Sequence, residues 1–333
     1  MRAFVLDGYG AVADHVRLAE IADPVPGPED VLVEIHAASL NPIDFKIVHG
    51  DLKRISKYQL PRPFGFDASG IVLSVGARAS RFKPGDAVYM RASRETIGTF
   101  AEKIALPEKF VALKPAHISY PEAAALPLVG LTTLQGFARV KAHAGQRILI
   151  HAGAGGIGTF AVQYARHLGL HVTTTTSSKN AGFVKSLGAD RVIAYDRENY
   201  LDAGGDYDIV YDTLGGAFTI DAFKVVKRGG VVISLSGPPD RDFARREGAG
   251  WLVRAVVWLM SRKVYAASAE RGATYCWFFT EPSGDQLREI AGLVDRGAIK
   301  PMIDREFSFE QLPAALSYLE TGRARGKVVL KVK

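Results

Sequence analysis

The chain holds one cysteine, Cys276, in 333 residues. That excludes an intramolecular disulfide framework and any metal site built from several thiolates. It also suits a reducing compartment, so a cytoplasmic location is expected. No apolar run is long enough to span a bilayer: the longest, Trp251 to Met260, covers about half a span and contains Arg254. The opening MRAFVLDGYG carries a single early arginine and no apolar core ahead of a small-residue cleavage site, so no secretory leader is expected. Internal repeats, low-complexity linkers and lysine-rich tails are absent. The net charge of +7 comes from scattered Lys and Arg. A basic surface serving an anionic small ligand accounts for that pattern, and no nucleic-acid partner is expected.

What is present is an ordinary globular balance, long enough for two domains. Residues 1–120 read as short strands between turns: 31–37 alternates, 70–75 ends at a glycine, and 86–90 follows the turn Lys83-Pro84-Gly85-Asp86. Pro121 opens a run that reads as one helix, PEAAALPLVGLTTLQGFARV. From Gln146 the rhythm becomes strand–helix alternation. Strands are expected at 148–151, 171–175, 191–194, 208–212 and 231–235, and helices at 156–167, 181–186 and from 217. Such units imply a doubly wound parallel sheet. Helices at 284–296 and 309–320 and a last strand at 327–332 follow. A discontinuous first domain, 1–125 with 300–333, and an inserted one, 126–299, are expected.

In RILIHAGAGGIGTFAVQYARHLG an apolar strand runs into Gly153, Ala154, Gly155, Gly156, Ile157 and Gly158, and an Ala/Val-rich helix follows. Glycines let the chain turn and approach a pyrophosphate, and the helix N-terminus offers N–H groups and positive dipole to it. An NAD site would carry an acid about 20 residues further on. Here the next strand ends in Ser177, Ser178, Lys179 and Asn180. Hydroxyls and a lysine suit a 2′-phosphate that a carboxylate would repel, so NADPH is the expected cofactor.

Together with Leu187-Gly188-Ala189-Asp190 and Asn41-Pro42-Ile43-Asp44-Phe45-Lys46, the glycine string resembles the medium-chain dehydrogenase/reductase superfamily, and more closely its quinone oxidoreductase branch. Tyr275-Cys276-Trp277-Phe278-Phe279, LVDRGAIKPMID and Arg323-Ala324-Arg325-Gly326-Lys327 are similar to the mitochondrial reticulon-interacting reductase. The Asn41–Lys46 string and the SYLET…GKVV ending are similar to plant alkenal/enone reductases. The resemblance implies a GroES-like β-rich catalytic domain beside a Rossmann domain, with the active site in the cleft between them. Zinc-using relatives place Cys at Asn41 and His at Phe66, and a four-cysteine structural zinc lobe near residues 91–100. Asn and Phe cannot replace those ligands, so no metal is expected.

Carried over by position, the resemblance puts Ala154, Gly156 and Ile157 at the pyrophosphate and Ser177 to Asn180 at the 2′-phosphate. Tyr195 closes over the adenosine end, and Thr132, Leu214, Leu235 and Ser236 line the nicotinamide. Phe279, Ala324 and Arg325 supply C-terminal contacts. Core packing for Tyr195 and Phe279, and ordinary strand-end packing for Leu214 and Leu235, stand as alternatives.

Quinones and conjugated enones accept hydride without a metal. Asn41 is then the candidate donor to the substrate oxygen, and Lys46 the candidate for the nicotinamide ribose and for positive potential over that oxygen. A pair with Asp44 is the alternative for Lys46. Mitochondrial enoyl-thioester reductases carry a catalytic Tyr just past the Gly50 position, and Asp51-Leu52-Lys53 has none. Two other readings remain: an enone/enal reductase with little quinone activity, and a non-catalytic, NADPH-holding or RNA-contacting crystallin-like protein. A homodimer is expected from the resemblance. Residues 240–272 carry seven Arg/Lys against four Asp/Glu around WLVRAVVWLM. They read as a helix covering the cleft, which is preferred, or as a dimer contact, or as a membrane-surface foot for a lipophilic quinone.

Overall fold

The computed structural model describes residues 1–53, 58–246, 248 and 250–333. Residues 247 and 249 of the 240–272 segment therefore lie outside the described residues. The chain divides into two compact units, Met1–Leu131 with Glu281–Lys333, and Thr132–Thr280.

The first unit is built on a seven-stranded sheet whose central strand, Asp30–Leu40, pairs antiparallel with Asp67–Val75, Lys103–Pro107 and Lys327–Lys331. Its burial alternates from Asp30 to Ala37, as period-2 patterning requires of a half-buried strand. Beyond Ala37 every position is buried. Phe4, Ile35, Phe64, Phe66, Phe100, Phe309, Val328 and Leu330 share one core, with Phe64 and Phe100 edge to face at 5.0 Å.

The chain returns to this unit at Glu281, ahead of residue 300, because the helix Gly284–Asp295 packs there. A Cβ on Gly284 would stand 2.3 Å from the Val111 carbonyl oxygen, and the buried Tyr89 hydroxyl donates to the Leu287 carbonyl. The run after Pro121 is two helices rather than one, Tyr120–Ala124 and Pro127–Arg139. Pro127 has no N–H to continue the first, and it opens the second. Pro42–His49 is a further helix, seated directly after the central strand, with Gly50 (φ 82°) as its left-handed cap.

The second unit carries six parallel strands in the spatial order Arg191–Ala194, His171–Thr176, Arg147–Ile150, Tyr207–Asp212, Val226–Ser234 and Thr274–Cys276. Numbered within this unit that is 3-2-1-4-5-6, the doubly wound order. Helices Gly156–His167, Ala181–Ser186, Ala217–Val225 and Trp251–Arg271 lie in the crossovers. Because the strands are all parallel, their carboxyl ends share one edge.

Candidate cofactor and active site

The strand Arg147–Ile150 delivers the chain to the glycine turn, and Gly155 (φ −80°, ψ 177°) is the N-cap of Gly156–His167. Among the described residues no side chain caps this helix. Its first-turn N–H groups are therefore left to an anion or to water. The glycines are demanded by packing. A Cβ on Gly158 would stand 2.2 Å from the Ala152 oxygen and 2.6 Å from Gly153 Cα, and one on Gly153 would stand 2.0 Å from Thr174 Oγ1. Ala152 itself takes the left-handed region at φ 53°. Two threonines of the neighbouring strand pin the turn: Thr174 Oγ1 donates to the Ile150 oxygen at 2.7 Å, and Thr175 Oγ1 accepts from the Ala152 N–H at 3.1 Å. This cradle, closed to side chains and open at a helix N-terminus, fits a dinucleotide pyrophosphate.

At the end of His171–Thr176 the expected serine pair does not act as a pair. Ser178 donates both its N–H (2.7 Å) and its hydroxyl (2.6 Å) to the carboxylate of Asp196. Those bonds hold Asp196 below the usual carboxylate range. An acid is thus brought beside this position, from the loop after Arg191–Ala194 rather than from the strand's own end. Ser177 is buried, while Lys179 is exposed and in no ion pair among the described residues. Tyr195, 69% exposed, precedes Asp196 and is not a core aromatic.

Most of the other nominated residues of this unit also follow strand carboxyl ends; Thr132 instead lies in the helix Pro127–Arg139. Asp212, fully buried, accepts from the N–H groups of Leu214 and Gly215 at 2.9 Å through Oδ1, and from Thr219 and Ser234 hydroxyls through Oδ2. It thereby fixes the loop that holds Leu214 half-exposed. Leu235 donates to the Asp212 carbonyl, and Ser236 Oγ to the Thr213 carbonyl at 3.2 Å. Thr132 shares a 2.8 Å hydroxyl contact with Thr280. Phe279 stands edge to face against Trp277 and Phe243, at 4.8 and 5.5 Å. Ala324 and Arg325 lie in the first unit, just ahead of Gly326 (φ 109°) and the strand Lys327–Lys331.

Asn41 caps Pro42–His49, its N–H donating to Asp44 Oδ2 at 2.7 Å. Its side chain is buried and engaged: Nδ2 donates to Asp67 Oδ2 at 2.9 Å, and Oδ1 accepts from Lys327 Nζ. Among the described residues, only the second Nδ2 hydrogen is left without a partner. Lys327 Nζ, also buried, donates to the Leu40 carbonyl at 2.8 Å and lies 3.8 Å from Asp67. Burial pushes Lys327 down, against the pull of Asp67 and Asp44, and pushes Asp67 up, against Lys327 and the Asn41 bond. Arg91, buried, lies 5.4 Å over the Phe66 ring. Lys46 is half-buried on the same helix and forms no ion pair with Asp44, whose Oδ1 has no hydrogen-bond partner among the described residues.

Residues 27–116 match the alcohol dehydrogenase GroES-like domain, and residues 187–330 match a zinc-binding dehydrogenase domain. The chain is 36% identical to the 2-methylene-furan-3-one reductase of Solanum lycopersicum, covering 99% of this chain and 79% of that protein. It is 32% identical to the mitochondrial NAD(P)H oxidoreductase RTN4IP1 of Bos taurus, covering 100% and 89%. The quinone oxidoreductase of Coxiella burnetii superposes with a TM-score of 0.86 at 30% identity, over 100% of this chain and 99% of that one.

The chain belongs to the medium-chain dehydrogenase/reductase superfamily.

It is an oxidoreductase of that superfamily, with the GroES-like and Rossmann domains expected. The zinc of the superfamily's metal-using members does not fit this donor set. Asn41 offers an amide already held by Asp67 and Lys327, Phe66 offers no donor, and Lys327 places its Nζ, donating to Asn41 and to the Leu40 carbonyl, among these groups. Among the described residues no three His, Cys, Asp or Glu side chains gather around a metal-sized site.

Several residues of these sites escaped the sequence reading. Asp67 and Lys327 lie 26 and 286 positions from Asn41. The available signal was a lysine inside the buried strand GKVVL, which requires a partner. Thr174 and Thr175 passed as β-branched strand formers, and Asp196 lies two residues beyond its strand.

Proposed function

We propose that this oxidoreductase binds NADPH and transfers hydride to a quinone or an α,β-unsaturated carbonyl without zinc. The carrying observation is the glycine cradle on the carboxyl edge of a 3-2-1-4-5-6 sheet, with Ser177, Tyr195, Leu214, Leu235, Ser236 and Phe279 following the same strand ends. The relatives supply the acceptor classes: a methylene-furanone is a conjugated enone, and the Coxiella protein is a quinone oxidoreductase. When bound, the cofactor supplies the hydride.

The chain's own residues bind, orient and stabilise charge. The first-turn N–H groups of Gly156, Ile157 and Gly158, with Ala154 and the turn glycines, hold the pyrophosphate. Lys179, Ser177 and Asn180 take the 2′-phosphate, Lys179 as its cation. Tyr195 covers the adenosine end. Thr132, Leu214, Leu235, Ser236 and Phe279 set the nicotinamide. Lys46 provides positive potential where negative charge develops on the substrate oxygen, and the free Nδ2 hydrogen of Asn41 is the available neutral donor. The proposal extends to a cytoplasmic homodimer pairing through an edge strand, for which Thr274–Cys276 is available. Sedimentation at a monomer mass would remove that extension.

The test is titration of NADPH and NADH into the protein. A lost charge-assisted phosphate contact is worth about 1.5–3 kcal/mol, so NADPH should bind at least about tenfold tighter. Equal dissociation constants would defeat the assignment and leave Asp196 as the residue that governs this end.

A further inference from the structure

The helix Trp251–Arg271 buries a narrow face, Val257, Ser261, Val264 and Ser268, which repeats at helical spacing. Val264 joins Phe243, Tyr275 and Trp277 in the core of its own unit. The opposite side, where a soluble helix should be polar, is apolar over its first three turns. Trp251, Leu252, Val253, Val256, Trp258, Leu259 and Met260 are each 50–74% exposed. They make up half of the exposed large apolar side chains among the described residues, gathered into ten consecutive positions. Trp251 and Trp258, two turns apart, share a face. The charges on this helix are of one sign until Glu270: Arg254, Arg262 and Lys263, all exposed.

We infer that this face seats on an anionic phospholipid bilayer, lying in its interface. An apolar face with tryptophans and a basic border takes up acyl chains and anionic headgroups together. A second copy of the chain laid on the same face would instead bring both sets of arginines and lysines together, at a cost in like-charge repulsion. Trp251 to Met260 extends about 15 Å at 1.5 Å per residue, half of what a span needs. No helix among the described residues is long and apolar enough to cross a membrane. The seat also places the enzyme where apolar quinones and enones concentrate, a consequence that rests on the proposed function; the seat itself does not.

The experiment is vesicle co-sedimentation with the full chain. Phosphatidylcholine vesicles containing about one third phosphatidylglycerol should retain the protein at least about tenfold better than phosphatidylcholine alone. Tryptophan emission should shift to the blue on the anionic vesicles. The pair Trp258→Ser with Leu259→Ser, and separately Arg262→Glu with Lys263→Glu, should each weaken retention by about tenfold or more. Both pairs lie outside the nominated catalytic and cofactor residues, so their melting temperatures and their turnover of a water-soluble quinone should match wild type. Absence of retention on either vesicle overturns the inference. So does a concentration-dependent dimer that Trp258→Ser with Leu259→Ser abolishes while vesicle retention is unchanged. Retention without any turnover would sink the functional proposal and leave the membrane seat standing.

Discussion

Asp44 offers a perturbation whose size and sign both follow from its surroundings. Its carboxyl is fully buried, and removal from water pushes it up to about 8 from an ordinary 3.8. The Asn41 N–H opposes this and the neighbouring Asp67 adds to it. Between about pH 4 and pH 8 the unfolded chain has released this proton while the folded chain keeps it. The folded state therefore binds more protons, and stability falls as pH rises through that window. A gap of about four pH units, at about 1.4 kcal/mol each, amounts to about 6 kcal/mol. Asp44→Asn keeps an oxygen to accept the Asn41 N–H and removes the titration. Any cost of its new amide is independent of pH. Urea unfolding of both proteins from pH 4 to pH 8 should show the variant gaining on wild type by several kcal/mol, with most of the gain complete by pH 8. Titrating groups that do not interact with Asp44 cancel in that difference, which leaves Asp44 and its neighbours Asp67, Lys327 and Arg91. Parallel stability curves would refute the reasoning and return Asp44 to an ordinary ionised cap.

Lys46→Ala should lower kcat by about thirty- to a thousand-fold, the 2–4 kcal/mol of a contact made only in the transition state, with little change in melting temperature; unchanged kcat with a lowered melting point would make it structural. Gly158→Ala places a methyl 2.2 Å from a backbone oxygen, so the turn must shift and NADPH affinity should fall by about tenfold or more, while the melting temperature drops by an amount consistent with about 1–3 kcal/mol of overpacking. Exhaustive chelation should leave turnover unchanged, and activity lost to chelator and restored by zinc would contradict the donor argument.

The parts of the fold written in local chemistry were legible in the sequence. The glycine turn, the helix Gly156–His167 and the strand Arg191–Ala194 fall where periodicity and turn residues put them. What resisted were features set by distant partners. The role of Asn41 depends on Asp67 and Lys327, which only the sheet register brings beside it. Ser178 looked free because Asp196 belongs to the next strand's loop. The helix Trp251–Arg271 gave an ambiguous pattern because its exposed side is as apolar as its buried one.

The decisive assay is NADPH oxidation with a quinone and a 2-alkenal, run side by side on wild type and Lys46→Ala. Saturable turnover of at least one acceptor is expected, carried by NADPH and cut by about thirty-fold or more in the variant. Tight NADPH binding with no oxidation of either acceptor would contradict it and favour the non-catalytic reading.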